Sequence, residues 1–346
     1  MTTNKHAWNL TDLASIPSNG LNVVTTFSCG GGSSMGYKRA GYSVLCANDI
    51  DPVMARHYQN NLHPAHYVLA PIKDLVPQLP SAAFGCDILD GSPPCSTFSM
   101  AGERDKDWSK HKQFREGQSA QVLDDLFFDF LDVAEQVRPR VILAENVKGL
   151  MTGQAKGYLT LIFARLREIG YRPSMFLLNA RRCGVPQARE RVFICAQRDD
   201  APARNLVITA NTPDVSCGEA TADLRATDAD LLATAPTGMD HTWWPLTAPG
   251  TSYVKASKKA GRASYGFGHY KASALKPCCT LSSQHQLVKH WSTNRCLTLL
   301  ERARISSFPD DYVYEGYKIG GYIQGMSVPP KMMEVVASAV RDQWLT

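Results

Sequence analysis

The sequence predicts an α/β fold on a mostly parallel twisted sheet, and three observations carry that prediction. Between residues 22 and about 197, short apolar runs bounded by turn residues alternate with helix-length amphipathic segments. The 346 residues suffice for roughly two domains, each with a buried core. A hydrophobic share of 44% and a net charge of +5 belong to an ordinary globular chain, which excludes a wholly disordered, collagen-like or coiled-coil protein.

The expected strands are 22–28, 43–48, 86–90, 141–145, 175–180 and 192–196, with parallel pairing through helices as the default. Asp51 is placed to cap a helix whose first residue is Pro52. Val122, Leu126, Phe127, Phe130, Ala134 and Val137 recur at helical spacing. No run approaches about 18 apolar residues, and the first twenty lack a basic segment followed by an apolar one, so neither membrane spanning nor secretion is expected. The ten cysteines show no C-x-x-C pair, which fits neither a zinc framework nor a disulfide scaffold; reduced thiols in a cytoplasm are expected. His63 and His66, in a polar turn, read as solvent-facing, and no metal site is expected.

Composition shifts near residue 200. Residues 199–240 carry eight Asp/Glu against two Lys/Arg, whereas 241–300 carry no acid and eight Lys/Arg. Cations there interleave with aromatics and glycines, as in YVKASKKAGRASYGFGHYK, a composition suited to following a phosphate backbone. Three segments follow: 1–200 as a catalytic domain, 201–290 as a smaller irregular domain, and 291–346 returning to the first.

FSCGGGSSMG follows the first strand and opens a helix, where the backbone of Gly30, Gly31 and Gly32 could approach a nucleotide-like cofactor. About twenty residues on, NDID offers Asp49 or Asp51 to a ribose diol. This leaves nicotinamide and S-adenosylmethionine both open. The next strand runs into DGSPPCSTFS, where Pro93 and Pro94 stiffen the approach to Cys95 at the carboxyl edge of the sheet. VILAENVKGL brings Glu145 and Asn146 to that edge. A thiolate and a carboxylic acid beside an adenosyl cofactor point to one reaction. Thiolate addition to carbon 6 of cytosine, with protonation of nitrogen 3, makes carbon 5 nucleophilic.

In order, FSCGGG, NDID, GSPPCS, ENV, QARER, RCLTLLERARISSFPD and GMSVPP resemble the DNA cytosine-5 methyltransferase family of prokaryotic or phage type. The resemblance implies a Rossmann-like S-adenosylmethionine-dependent methyltransferase domain plus a target-recognition domain. It makes Cys95 the nucleophile, Glu145 the group that protonates nitrogen 3, and Arg189 and Arg191 the pair that supports the base and the site. It places Phe27, Gly30, Gly31, Gly32, Asp49, Ile50, Asp74, Leu75, Pro93, Met326 and Ser327 against the cofactor. For DNA it implies Ser96, Lys255, Lys258, Lys259, Arg262, Lys271 and Thr280, with 96–119 as a lid over a flipped base. Arg295, Glu301, Arg304 and Phe308 would organise the recognition domain. Ser96 replaces a glutamine common in the family. Cys29 stands where a glycine is usual, and Met326 where an asparagine is usual, a change expected to alter the polarity of the site or its preference for a donor. A cytosine deaminase is excluded, because no second cysteine follows Pro94-Cys95 at the required spacing. A tRNA cytosine-5 methyltransferase and a catalytically silent DNA-binding module are the competing readings. Expected partners are double-stranded DNA and a cognate restriction endonuclease, for a monomer in the cytoplasm of a bacterial or phage-infected cell.

Overall fold

The computed structural model describes residues 4–94, 126–152, 155–263 and 266–346, together with the backbone of 111–112 and 121–122. The chain divides into two compact units. One gathers residues 15–179, 190–210 and 333–346; the other gathers 1–14, 180–189 and 211–332.

The first unit is organised by a seven-stranded sheet. Its strands are β1 (Asn22–Thr26), β2 (Ser43–Asp49), β3 (Tyr67–Leu69), β4 (Ile88–Gly91), β5 (Val141–Val147), β6 (Tyr171–Asn179) and β7 (Glu190–Arg198), in the order β3-β2-β1-β4-β5-β7-β6. All pairs are parallel except those of β7, which runs antiparallel to both β5 and β6. Chain length explains that departure from the parallel default: residues 180–189 are too few for a parallel crossover, which needs a dozen or more. β3 was not anticipated, because three residues with one buried side chain give almost no alternation to read.

Helices α1 (Gly32–Arg39), α2 (Pro52–Leu62), α3 (Leu126–Val137) and α4 (Ala155–Glu168) accompany the sheet. Asp51 caps α2 as expected, its Oδ1 accepting from the N–H groups of Val53 (2.8 Å) and Met54 (3.3 Å). α3 buries Phe127, Phe130, Leu131 and Ala134 in one core with Val24, Leu89, Ile142 and Ile194 from the strands. Each such large side chain contributes about 1.5–3 kcal/mol by leaving water.

The second unit is irregular, with a small sheet of Thr251–Ser252, Tyr270–Lys271 and Val288–Lys289. Its helices include α5 (Tyr253–Lys259), α6 (Leu299–Ile305) and α7 (Tyr317–Met326). At its centre Lys289 Nζ and Asp240 Oδ2 form a fully buried pair at 2.7 Å, and Tyr253 Oη donates to Asp240 Oδ1 at 2.9 Å. This unit reaches past 201–290 in both directions. Residues 180–189 join it because Gln187–Ala188 pairs in parallel with Cys278–Cys279. Residues 291–332 join it because buried Arg302 on α6 donates to the carbonyls of Ser282 (3.1 Å) and Gly321 (3.2 Å). Of the expected C-terminal return, 333–346 groups with the sheet: Tyr42 Oη donates to the Ala337 carbonyl at 3.1 Å, and Arg39 pairs with Glu334 at 2.6 Å. Among the described residues no helix is long and apolar enough to cross a membrane, and no cluster of His, Cys, Asp and Glu could hold a metal.

Candidate active site

Register sets the level of the site. Thr26 pairs with Gly91 and Gly91 with Ala144, so β1 and β4 end side by side at the carboxyl edge of the sheet, and β5 carries Glu145, Asn146 and Val147 beyond them. That edge is where ligands of open α/β sheets lie.

After β1 the chain turns sharply, with left-handed backbone at Phe27 (φ 50°), Cys29 (φ 47°) and Gly31 (φ 83°). Gly31 has no alternative: a Cβ there would stand 2.2 Å from Leu62 Cδ1 and 3.2 Å from the Tyr58 ring. Cys29 adopts the conformation without being glycine, so the departure noted in the sequence is a strained position. The turn is tied to β2 through Asp49, whose Oδ2 accepts from the Cys29 N–H (2.7 Å) and whose Oδ1 accepts from the Asp51 N–H (2.9 Å). Burial pushes the Asp49 carboxyl up to about 6, against the pull of those backbone donors. Of the two aspartates open to the ribose role, Asp51 is engaged as a helix cap and Asp49 stands beside the turn. Phe27 is half-buried with its ring edge-on to Phe130, centroids 6.5 Å apart, and Ile50 is also half-buried. The Asp74 side chain is exposed, whereas Leu75 is fully buried in the core.

Next along the edge, Asn146 Nδ2 donates to the carbonyl of buried Pro93 at 3.1 Å, anchoring the segment that leads to Cys95. Cys95, Ser96 and the expected lid 96–119 lie outside the described residues, apart from the backbone of 111–112. Glu145 Oε1 meets Arg191 Nε at 2.8 Å across the β5–β7 pair. Burial lowers the Arg191 pKa, and the neighbouring carboxylate opposes that shift. A carboxyl group oriented by a guanidinium can address a hydrogen-bonding edge of a heterocyclic base.

One group beneath this edge was not anticipated. Asp90, near the end of β4, is buried, receives a hydrogen bond from Tyr37 Oη (3.1 Å), and is pushed up to about 8 by burial. The available signal was an acid inside the apolar run ILDG. Ser34 on α1 extends the polar layer, with Tyr58 Oη donating to it at 2.8 Å and its Oγ sharing a hydrogen bond with Thr25 Oγ1 at 3.1 Å.

A model of C-5 cytosine-specific DNA methylases matches residues 21–342. The chain belongs to that family. Among the relatives of this methylase, the Type II methyltransferase M1.HphI of Haemophilus parahaemolyticus is 28% identical over 340 residues, covering 92% of this chain and 86% of the relative. M.DdeI of Desulfomicrobium norvegicum is 26% identical over 379 residues, covering 92% and 88%. Among solved structures, a DNA modification methyltransferase encoded within a prophage of E. coli superposes with a TM-score of 0.71 at 19% identity, covering 94% of this chain and 99% of that one. A variant of Spodoptera frugiperda DNMT2 superposes with a TM-score of 0.65 at 18% identity, covering 93% and 99%. These two establish the likeness of fold. The cofactor of the methylase is S-adenosylmethionine. Its residues fit that molecule: a half-buried aromatic, a turn of close-approaching backbone, and a carboxylate with acceptor capacity for a diol at the end of β2.

The remaining predicted residues lie in the second unit. Arg189 is buried, and its Nη1 donates to the Leu281 carbonyl at 3.0 Å, so it holds the Thr280-Leu281 element, while Arg191 is the arginine that meets Glu145. Thr280 is exposed, its Oγ1 donating to the Ala188 carbonyl at 2.9 Å. Lys271 does not present its charge to a ligand: it is 6% exposed, its ammonium lies 3.5 Å from the centre of the Trp244 ring, and it donates to the Trp244 carbonyl at 3.2 Å. Lys255, Lys258, Lys259 and Arg262 are exposed on or just after α5. Met326 ends α7 exposed, and Ser327 is buried with its Oγ free of any hydrogen bond among the described residues, an atom with capacity for a ligand. Arg295 and Glu301 pair at 2.6 Å, and Arg304 bridges Asp223 and Asp310, which gives the α6 motif an organising role within this unit.

Proposed function

We propose that Cys95, Glu145 and Arg191 carry out the methyl transfer of this DNA cytosine-5 methyltransferase. The Cys95 thiolate adds to carbon 6 of a cytosine turned out of the duplex, forming a carbon–sulfur bond. Glu145, held by Arg191, takes up a proton from solvent as the base binds and passes it to nitrogen 3, so the electron pair of the 5,6 double bond collects on carbon 5. When bound, S-adenosylmethionine supplies a methyl group on a sulfonium, electrophilic toward such a carbon. Once carbon 5 is methylated, its proton passes to solvent water, the C5–H electron pair re-forms the 5,6 double bond, Cys95 leaves as thiolate, and nitrogen 3 returns its proton to Glu145. Asp49 and the Phe27–Gly32 turn fix the donor, while Asn146 fixes the backbone that presents the thiol.

The observation that carries this reading is the 2.8 Å Glu145–Arg191 pair on the edge that also holds the Pro93 carbonyl. Exposed Lys255, Lys258, Lys259 and Arg262 contact DNA phosphates, and the substrate is a short recurring duplex sequence. The Type II relatives support a cognate restriction endonuclease as functional partner. The methylase acts as a monomer in the cytoplasm.

Bisulfite sequencing of genomic DNA from cells expressing the protein tests the reading. Protected cytosines should recur in one short sequence and vanish with Cys95→Ala, whose purified protein still binds duplex DNA. Methyl transfer by Cys95→Ala would refute the role of the thiol.

A further inference from the structure

The segment that follows α5 contains an aromatic side chain that the core does not use. Phe267 is 86% exposed, and it stands between Gly266 (φ 70°) and Gly268 (φ 82°). The His269 N–H donates to the Gly266 carbonyl at 3.0 Å, which closes a four-residue turn with Phe267 and Gly268 at its two central positions. Left-handed backbone at the third position is what a type II turn requires, so this sequence places the phenylalanine at the tip.

The turn is firmly seated. A Cβ on Gly266 would lie 2.9 Å from Tyr253 Cβ, and one on Gly268 would lie 3.2 Å from Leu287 Cδ1, so backbone packs directly against both neighbours. The His269 ring stacks on the Tyr253 ring with centroids 5.4 Å apart, and the Tyr253 N–H donates to the His269 carbonyl at 3.0 Å. Tyr253 is in turn locked to the buried Asp240–Lys289 pair and begins α5. The tip and the helix carrying Lys255, Lys258 and Lys259 are therefore joined by hydrogen bonds and ring contact. Leu232 and Leu275 are similarly exposed but offer no aromatic face.

A rigidly displayed aromatic ring joined to a helix of exposed cations matches a polyanion built of flat rings. We propose that Phe267 is a base-stacking contact, its ring entering or abutting the base stack of the bound duplex while Lys255, Lys258, Lys259 and Arg262 hold the phosphates. This rests on the DNA-substrate reading and adds a contact that reads stacking rather than charge.

The test uses the full chain with S-adenosylhomocysteine and a duplex containing the site mapped by bisulfite sequencing, with dissociation constants measured by fluorescence anisotropy at several salt concentrations. Phe267→Ala should weaken binding roughly 10- to 100-fold with an unchanged salt slope, because no phosphate contact is lost. Lys258→Gln should instead lower the slope by about 0.9. Phe267→Trp should restore binding, since it returns a stacking face to the same tip. Unchanged affinity in Phe267→Ala, a changed salt slope, or equal losses in Phe267→Ala and Phe267→Trp would overturn the proposal. The same variants are also measured on a mixed-sequence duplex, which needs no mapped site: binding there that depends on Phe267, in a wild-type protein that methylates no cytosine, would sustain the stacking contact and refute the functional reading instead.

Discussion

Replacing Arg191 by methionine should separate what the Glu145–Arg191 pair does for stability from what it does for catalysis. The Arg191 and Glu145 side chains are 13% and 8% exposed, so water screens them little. With charge centres about 4 Å apart and an effective dielectric near 20, their attraction is about 4 kcal/mol. Desolvation of the two ions costs a comparable amount, so the intact pair adds little net stability. Removing one partner is different, because Glu145 is then left buried beside an apolar chain. The loss should be about 3 kcal/mol, the low end of the range for broken buried pairs, since neither group is wholly covered. Methyl transfer should fall about 100-fold, as for removal of one oriented charge-stabilising group. Adding Glu145→Gln to Arg191→Met should recover most of the stability while leaving the enzyme inactive, since the amide needs no counterion and carries no proton to give. Urea denaturation followed by far-UV circular dichroism, with single-turnover methyl transfer, measures both. A stability loss under about 1 kcal/mol, the range of exposed pairs, would refute the argument, as would a double variant no more stable than the single one.

Two other predictions concern the cofactor turn. The Asp49 carboxyl, raised to about 6 from 3.8, keeps its proton in the folded chain where the unfolded chain has lost it. Its contribution to stability is therefore favourable below that window and is lost as pH rises through about 6. Binding a diol requires the opposite state, so affinity for S-adenosylhomocysteine should fall about tenfold per unit as pH drops below the Asp49 pKa. Calorimetry from pH 5 to about 8 should show this fall in the wild type and a flat, weak profile in Asp49→Asn; a flat wild-type profile would exclude Asp49 as the pH-dependent acceptor. Cys29→Gly should relieve left-handed strain of about 1–2 kcal/mol, partly offset by glycine's greater freedom in the unfolded chain, giving a melting temperature equal to or above wild type. A drop of several degrees would show that the thiol contributes more at this position than its backbone costs.

Much of this was legible because it is local. The turn after β1, the Asp51 cap on α2 and the arrival of Pro93 and Glu145 at strand ends each follow from neighbouring residues whose conformational limits are fixed by covalent structure. The reversal of β7 was readable in principle from the short segment before it. The three residues of β3 were not readable, because their pairing comes from β2 rather than from their own pattern.

What composition and spacing determined was the chemistry available: a thiol after two prolines, an acid on a neighbouring strand, a glycine turn with a carboxylate about twenty residues on, and a basic, aromatic segment after residue 240. Which of two similar residues takes which task was decided only by tertiary contacts. Arg189 and Arg191 are two residues apart, yet one reaches the Leu281 carbonyl and the other Glu145. Lys271 carries the same charge as Lys258, but Trp244, 27 positions away, covers it. Phe267 and the phenylalanines of the core are the same residue type, and a turn clamped to Tyr253 leaves Phe267 facing solvent. A sequence specifies the charge and shape of each side chain, whereas the dielectric around it and the atoms it meets are set by segments far away along the chain.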